Sequence, residues 1–311
     1  RMISVKSLRV DYDTVTAVED LDLEVGPGEV FGLLGPNGAG KTSTIKAIAR
    51  AIEPTYGEIR IDGVDPDVHP EEAWRRIGYM PDLPPLYPDL TVRQYLDVFA
   101  AAHLVARPGR SDRVREWAAR VDLEKKLDTR VSELSRGMKQ RLVLAKTLLP
   151  EPKALLLDEP ASGMDPIARV EMRRLLHEAA ANGAAVVISS HILSELDELC
   201  TAVGVMEKGR MVVSGSIADI RRRLETGVRL RVRPAGATPA EAVAAFLEGN
   251  PLVSGPAVAA GQCLAEFHGT EDQAAELLSA LAASGLTVAE FALEHESLES
   301  LFMRVGARET S

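Results

Sequence analysis

One stretch of the sequence decides the fold, and it reads Gly35-Pro36-Asn37-Gly38-Ala39-Gly40-Lys41-Thr42. It matches the phosphate-binding pattern G-x-x-x-x-G-K-[ST] at every defined position, and its glycines let backbone N–H groups turn inward around phosphate oxygens. The apolar run 30–34 before it is typical of a buried strand, and residues 42–52 after it have a helical pattern. A strand before the loop and a helix after it favour a nucleotide-phosphate site over a glycine-rich turn without a ligand.

Side chains at the end of this loop and of a second apolar strand suit phosphate hydrolysis. Lys41 is expected to reach the β- and γ-phosphates, and the Thr42 hydroxyl to bind Mg²⁺. The apolar run 154–157 ends in Asp158 and Glu159, at the edge where open α/β sheets bind ligands. We expect Asp158 to hold Mg²⁺ through water and Glu159 to polarise the attacking water. Together the two segments predict a phosphate-binding hydrolase.

Length and composition bound the rest of the molecule. The chain has 311 residues, which suggests two domains, and its 46% hydrophobic and 26% charged residues are ordinary for a globular protein. Its net charge of −10 argues against direct nucleic-acid binding, although an acidic chain can still carry a local basic patch. No apolar run reaches the roughly 18 residues of a membrane span, and the N-terminus does not read as a signal peptide. We therefore expect a protein that is soluble or held at a membrane by a partner.

The first domain is expected to be α/β and to span residues 2–220. Its residues 2–64 read as β-rich, and helical periodicity dominates about 84–150, which predicts a helical subdomain inserted in the α/β core. The two cysteines, Cys200 and Cys263, do not form a disulfide framework or a zinc site, and we expect free thiols in a reducing cytosol.

A second, smaller domain is expected over residues 228–311. A boundary falls near 216–228, where the run Arg221–Arg223 reads as a solvated helix face rather than a phosphate site. The segment beyond it follows the order β-α-β-β-α-β, which predicts an α+β ferredoxin-like domain, and a last helix is expected over 297–304.

With these motifs in order, the chain resembles the ATP-binding subunits of ABC transporters over residues 2–216. Leu134–Gln140 resembles the ABC signature, and Ser162–Asp165 resembles the D-loop. Ser189–His191 resembles the segment of the switch histidine, and Tyr12 stands at the position that stacks on adenine. The fold implied is a P-loop NTPase of the ABC type, with a mixed-sheet core, a β-rich subdomain and a helical subdomain.

The resemblance implies a head-to-tail homodimer with ATP at the interface. Ser135 and the Gly137 N–H of one subunit would bind the γ-phosphate of the ATP held on the loop of the other. His191 would contact that phosphate and orient the water with Glu159. Asp165 would bridge the two sites. Ser43 would assist at the α-phosphate.

The sequence departs from the usual family signature Leu-Ser-Gly-Gly-Gln at two positions and from the Q-loop at a third. Arg136 replaces the first glycine, and it must either point away from the nucleotide or add a charge contact to it. Met138 replaces the glutamine and lacks the hydrogen-bonding amide. Asp82 replaces the Q-loop glutamine, and its carboxylate could still bind Mg²⁺ or orient water.

These variants are similar to those of the ABC-2-type exporter branch, which implies a motor that drives a separate integral membrane permease, at the cytoplasmic face of the cell membrane. The segment 84–100 would dock that permease, or its apolar residues would only pack the helical subdomain. The alternative function is a soluble ABC ATPase acting on a protein or nucleic-acid complex. A phosphotransferase is disfavoured by Glu159 as a water activator and by the signature segment. A pseudo-ATPase is disfavoured because Lys41, Glu159 and His191 are all present.

The role of the second domain stays open, and support of the dimer is the hypothesis that we favour. Its closing residues Leu298, Leu301 and Phe302 could form a helix-in-groove contact. The transported substrate is not encoded in a chain that lacks the permease.

Overall fold

The computed structural model describes residues 1–217, 219 and 228–294. The chain divides into two compact units, the first of which ends at Ile217. The predicted helix over 297–304 and the run Arg221–Arg223 lie outside the described residues. Among the described helices, none is long and apolar enough to cross a membrane.

The first unit contains strands and helices in alternation after an initial β-rich stretch. Its strands are β1 (Ile3–Tyr12), β2 (Val15–Val25), β3 (Val30–Leu34), β4 (Tyr56–Ile61), β5 (Ile77–Met80), β6 (Ala154–Leu157), β7 (Ala185–Ser190), β8 (Ala202–Glu207) and β9 (Arg210–Ser216). Its α-helices are α1 (Lys41–Ile48), α2 (Pro70–Arg76), α3 (Val92–Ala102), α4 (Arg107–Arg120), α5 (Arg136–Leu148), α6 (Pro166–Ala181) and α7 (Leu193–Asp197). Helix α4 is kinked at Pro108 and Gly109.

A six-stranded sheet in the order β5-β6-β7-β3-β8-β9 carries the functional loops. Neighbouring strands are parallel except for the antiparallel pair β8 and β9. All residues of β3 and β6 are buried, as expected for strands covered on both faces. Because β3, β6 and β7 run in the same direction, the loops that follow them meet at one edge of the sheet.

A smaller antiparallel sheet in the order β2-β1-β4 packs against this core. Leu21, Leu23 and Val25 alternate with exposed residues and share one apolar cluster with Ile45 of α1. Helix α1 is shorter than the expected 42–52 because Arg50 takes a left-handed φ of 55° and turns the chain away. The mixed sheet, β-rich sheet and helices α3–α5 confirm the predicted P-loop fold of the ABC type.

The second unit has the strands β10 (Val228–Pro234), β11 (Val253–Ala259), β12 (Gln262–Phe267) and β13 (Val288–Glu294), and the helices α8 (Ala240–Glu248) and α9 (Glu271–Ala283). Its sheet order is β11-β12-β10-β13 with every neighbouring pair antiparallel. Strand β12 thus lies between β10 and β11, which α8 connects. This is the split βαβ arrangement of the ferredoxin-like fold.

Candidate functional site

The loops at the carboxyl edge of the large sheet enclose a cavity of about 670 Å³. It is lined by the residues 37–43, by Asp82, Glu159, Ser162 and His191, and by Val15, Thr16, Ala17 and Lys208. The structure therefore brings the sequence-predicted loop, the carboxylate after β6 and the histidine after β7 to one place. Val15–Ala17, the start of β2, was not among the predicted site residues, although it begins only three residues after Tyr12 in the chain.

The loop that precedes α1 has the geometry of an anion cradle. Gly40 takes a φ of 100°, and a side chain there would collide with the carbonyl oxygen of Ala17, so this position requires glycine. Gly40 is the N-cap of α1 and makes no side-chain cap. The N–H groups of the first helical turn have no partner within the helix, and they are the donors that phosphate oxygens use at helix N-termini.

The Lys41 ammonium is buried inside this cradle. Its Nζ donates to the carbonyl oxygens of Gly35, at 2.7 Å, and Pro36, at 3.1 Å. It also lies 3.9 Å from Oε1 of Glu159. Burial lowers the pKa of Lys41, while the charges of Glu159 and Asp158 act in the opposite direction. The loop thus holds one cation facing two carboxylates, where a polyphosphate would need it.

Asp158 is almost fully buried and half of its carboxylate is paired. Oδ1 accepts hydrogen bonds from Thr42 Oγ1, at 3.1 Å, and Ser189 Oγ, at 2.7 Å. Oδ2 is buried without a hydrogen-bond partner among the described residues. A buried carboxylate oxygen without a partner is costly, and beside the Thr42 hydroxyl it presents the oxygen donors that Mg²⁺ prefers. The donor set therefore fits the predicted metal.

Glu159 and His191, which the sequence predicts to be catalytic, lie side by side in the structure. Nδ1 of His191 lies 3.0 Å from Oε2 of Glu159, and the imidazole is half exposed toward the cavity. Glu159 takes an uncommon φ of 46°, and its N–H donates to Ser189 Oγ at 2.9 Å. Strained backbone of this kind is concentrated at functional sites. This pair of side chains can hold a water molecule on its cavity side, next to a phosphate bound there.

Three side chains from neighbouring helices hold the segment 160–165 that follows Glu159. Gln140 donates through Nε2 to the carbonyl oxygen of Pro160 at 3.2 Å, and Arg136 donates through Nη2 to Ser162 Oγ at 3.3 Å. Arg169 donates through Nε to the Met164 carbonyl oxygen at 3.3 Å. Sequence reasoning did not identify these contacts.

The remaining predicted residues lie outside the lining of the cavity. Ser135 is the N-cap of α5, and its hydroxyl accepts from Met138 N at 3.3 Å; Gly137 lies in the same turn. Asp165 caps α6 by accepting from Ala168 N at 2.9 Å. Tyr12 ends β1 opposite Val15 and is 44% exposed. Arg136 contacts Ser162 of its own chain, a residue that lines the cavity.

Three features share this cavity: a glycine-rich loop between strand and helix, a buried Asp beside the threonine of that loop, and a Glu–His pair. Together they define a nucleotide-binding P-loop ATPase. The model of the ABC transporter family matches residues 18–162. An uncharacterized ABC transporter ATP-binding protein, YxlF of Bacillus subtilis, is 33% identical over 310 residues, 98% of this chain and 99% of that protein. The chain belongs to the ABC transporter family of ATP-binding subunits and is an ABC-type ATPase.

Two further similarities cover only part of the chain. The Nod factor export ATP-binding protein I of Burkholderia pseudomallei is 40% identical over 205 residues, 66% of this chain and 67% of that protein. A solved structure of an ATP-binding subunit of an ABC transporter matches with a TM-score of 0.68 and 33% identity, over 72% of this chain and 93% of that chain.

Proposed function

We propose that two copies of this chain close head to tail around two ATP molecules and drive a separate membrane permease, most simply as an exporter. The observation that carries this proposal is the division of the predicted ATP-binding groups. Lys41, Thr42 and Glu159 belong to one cavity, whereas Ser135 and Gly137, at the start of α5, are not among its lining residues. A second copy is the natural source of the missing half.

Within one chain, the P-loop residues are assigned to the phosphates and Asp158 to the metal. Lys41 would bind the β- and γ-phosphate oxygens, and Ser43 would assist at the α-phosphate. Thr42 and Asp158 would hold Mg²⁺, with Asp82 at the cavity wall as a further oxygen donor. When bound, Mg²⁺ would neutralise charge on the phosphate oxygens. Tyr12 is assigned to the adenine ring, beside the hairpin residues that line the cavity.

Glu159 is assigned as the general base and His191 as its partner at the γ-phosphate. The 3.0 Å separation of their side chains lets the imidazole fix one carboxylate oxygen while the other accepts a proton from water. The Lys41 ammonium lies 3.9 Å from Oε1 of Glu159, so the cation stands beside the proposed base.

Across the dimer, Ser135 and Gly137 are assigned to the partner's γ-phosphate and Asp165 to communication between the sites. The Ser135 hydroxyl accepts one hydrogen bond from Met138 N, which leaves its own proton free to donate to a phosphate oxygen. The Gly137 N–H lies in the first turn of α5, where the helix dipole favours an anion.

The permease assignment is supported by exposed apolar side chains and by the relatives. Leu83 is 85% exposed, and Tyr87 is 50% exposed although its ring lies 6.2 Å from that of Tyr95. The stretch 83–87 thus packs on α3 and still presents apolar surface. One relative is named as an export ATP-binding protein, and this supports export and a place at the cytoplasmic face of the membrane. The cargo is left open.

The test is the Glu159→Gln variant, because it separates ATP binding from hydrolysis. Loss of a general base typically costs about 10²–10⁴-fold in rate, so we expect turnover to fall by about that factor while ATP still binds. With hydrolysis blocked, ATP and Mg²⁺ should convert the monomer to a dimer on size-exclusion chromatography. Unchanged turnover would remove Glu159 from its role, and a monomer with bound ATP would contradict the shared site.

The permease is tested by affinity purification of the tagged chain from native membranes in detergent. A stoichiometric protein with several membrane spans is expected. Reproducible recovery of soluble partners alone would instead favour an ABC ATPase that acts on a protein or nucleic-acid complex.

A further inference from the structure

Arg136 joins the first turn of α5 to the segment that follows the catalytic glutamate. Its guanidinium donates to Ser162 Oγ at 3.3 Å. A Cβ built on Gly163 would lie 2.5 Å from Arg136 Nε and 3.0 Å from its Cδ, so the arginine packs directly on the glycine backbone. Gly163 also takes a φ of 75°. The left-handed backbone favours glycine at position 163, and the lack of a side chain there lets the arginine lie against the backbone.

The same helix makes a second contact with this segment one turn further along. Gln140, four residues after Arg136 and on the same face of α5, is buried and donates to the Pro160 carbonyl oxygen. Pro160 directly follows Glu159, and Ser162 itself lines the nucleotide cavity. One face of α5 thus holds the wall of the cavity at two points, and Arg136 makes the contact nearest the helix N-terminus.

We propose that Arg136 is a positioning residue, which holds Ser162 and Gly163 against α5 and so links the partner-facing turn of this helix to the nucleotide cavity of its own chain. This inference rests on the proposed head-to-tail dimer, since Ser135 and Gly137 flank Arg136 and are the groups assigned to the partner's ATP. The side chain between them reaches Ser162 of its own chain. A planar guanidinium can pack flat on a glycine and donate from its edge in one pose, which an ammonium cannot.

The contact is tested first in the nucleotide-free chain by amide hydrogen exchange. The N–H groups of Ser162 and Met164 donate to the carbonyl oxygens of Glu159 and Ala161, both at 3.1 Å, so their exchange reports opening of this segment. Arg136→Ala should speed exchange there by about threefold or more. Lys139→Ala, which removes a cation from the same helix, should not change it. Equal exchange in Arg136→Ala and the unmodified chain would overturn the inference.

The consequence for catalysis is tested by steady-state ATPase kinetics. Loss of one charged hydrogen bond that positions a cavity wall should lower kcat by about fivefold, with KM within about twofold. Arg136→Lys should recover part of the loss. Ser162→Ala should resemble Arg136→Ala, and the double variant should be no slower than either single variant because both remove one interaction.

The outcomes separate this inference from the proposed function. Additive effects in the double variant, or an equal loss of kcat in Lys139→Ala, would overturn the role of Arg136 while the ATPase assignment stands. An unmodified chain that hydrolyses no ATP would overturn the proposed function, and the exchange measurement would still decide whether Arg136 holds the segment.

Discussion

Two helices of the first unit begin with sequences that suit a phosphate, and their N-termini differ. Helix α1 begins after Gly40 with no side-chain cap, so the N–H groups of its first turn have no side chain to satisfy them. Helix α5 begins after Ser135, whose hydroxyl already accepts from Met138 N. The first N-terminus is built for a ligand that the chain binds by itself. The second is partly satisfied within the chain and can bind a ligand only through the Ser135 hydroxyl proton and the remaining N–H donors of its first turn.

The same contrast holds for the side chains around the two N-termini. Around α1, a hydrogen bond links Thr42 to Asp158, and another links Lys41 to the loop. Around α5, Ser135 and Arg136 are exposed. This difference indicates that nucleotide affinity resides mainly at α1 and that closure with a second molecule resides at α5.

The largest effect is expected from Lys41→Ala. It removes the buried cation facing Glu159 and Asp158, and electrostatic groups of this kind contribute on the order of 10²–10³-fold in rate. We expect ATP binding, followed with a fluorescent ATP analogue, and ATPase activity to fall at least that far. Lys46→Ala, in the last turn of the same helix, is the matched control and should retain both. Retained affinity in Lys41→Ala would move the nucleotide away from α1.

A smaller loss, with affinity kept, is expected from Ser135→Asp. Aspartate caps a helix as well as serine does, so the temperature of unfolding should stay the same. Its carboxylate would face the γ-phosphate of the partner's ATP, and we expect turnover to fall by roughly 10–100-fold through like-charge repulsion. Ser135→Ala should instead lose about 1 kcal/mol of helix stability. Full activity in Ser135→Asp would contradict the assignment of this residue to ATP.

Mixing the two variants tests whether each ATP site combines groups from two chains. A heterodimer of Lys41→Ala and Ser135→Asp chains contains one site in which the loop of the second chain meets the intact Ser135 of the first. We expect activity well above that of either variant alone, up to roughly a quarter of the unmodified level in an equimolar mixture, because half of randomly formed dimers are mixed and each has one intact site. No recovery would indicate that both helices serve ATP within one chain.

Local patterns predicted much of this fold and of the site. The loop 35–42 identifies both its strand and its helix, and Asp158 and Glu159 follow an uninterrupted apolar run. The alternation of Leu21, Leu23 and Val25 likewise identifies a half-buried strand. Each of these signals is contained in fewer than about 15 consecutive residues, the range over which periodicity carries information.

Features set by non-local packing could not be predicted in this way. Strand β5 has only four residues and is defined by its parallel pairing with β6, more than 70 residues later. Helix α2 was missed for a different reason, because its signals are local and were overlooked. They are Pro70 at its start, acidic residues in its first turn and arginines in its last turn. The contact of Arg136 with Ser162 joins residues 26 apart, and the sequence gives no indication of which way such a side chain turns.

The smallest effect is expected at Tyr12, which tests whether the hairpin side of the cavity adds base recognition to the phosphate site at α1. Stacking of a base on an aromatic ring is worth about 1–3 kcal/mol by alanine substitution, and a ring that is 44% exposed should lie near the lower limit. Tyr12→Ala should therefore raise KM for ATP by about three- to tenfold with kcat unchanged, and Tyr12→Phe should have no effect because the ring is kept. Tyr56 provides the control, since Tyr56→Ala removes an equally accessible ring, 52% exposed, from the neighbouring strand β4. Tyr56 pairs with Arg9, whereas Tyr12 pairs with the cavity-lining Val15. An unchanged KM in Tyr12→Ala would assign the adenine to Val15–Ala17 alone, and affinity would then depend still more on α1.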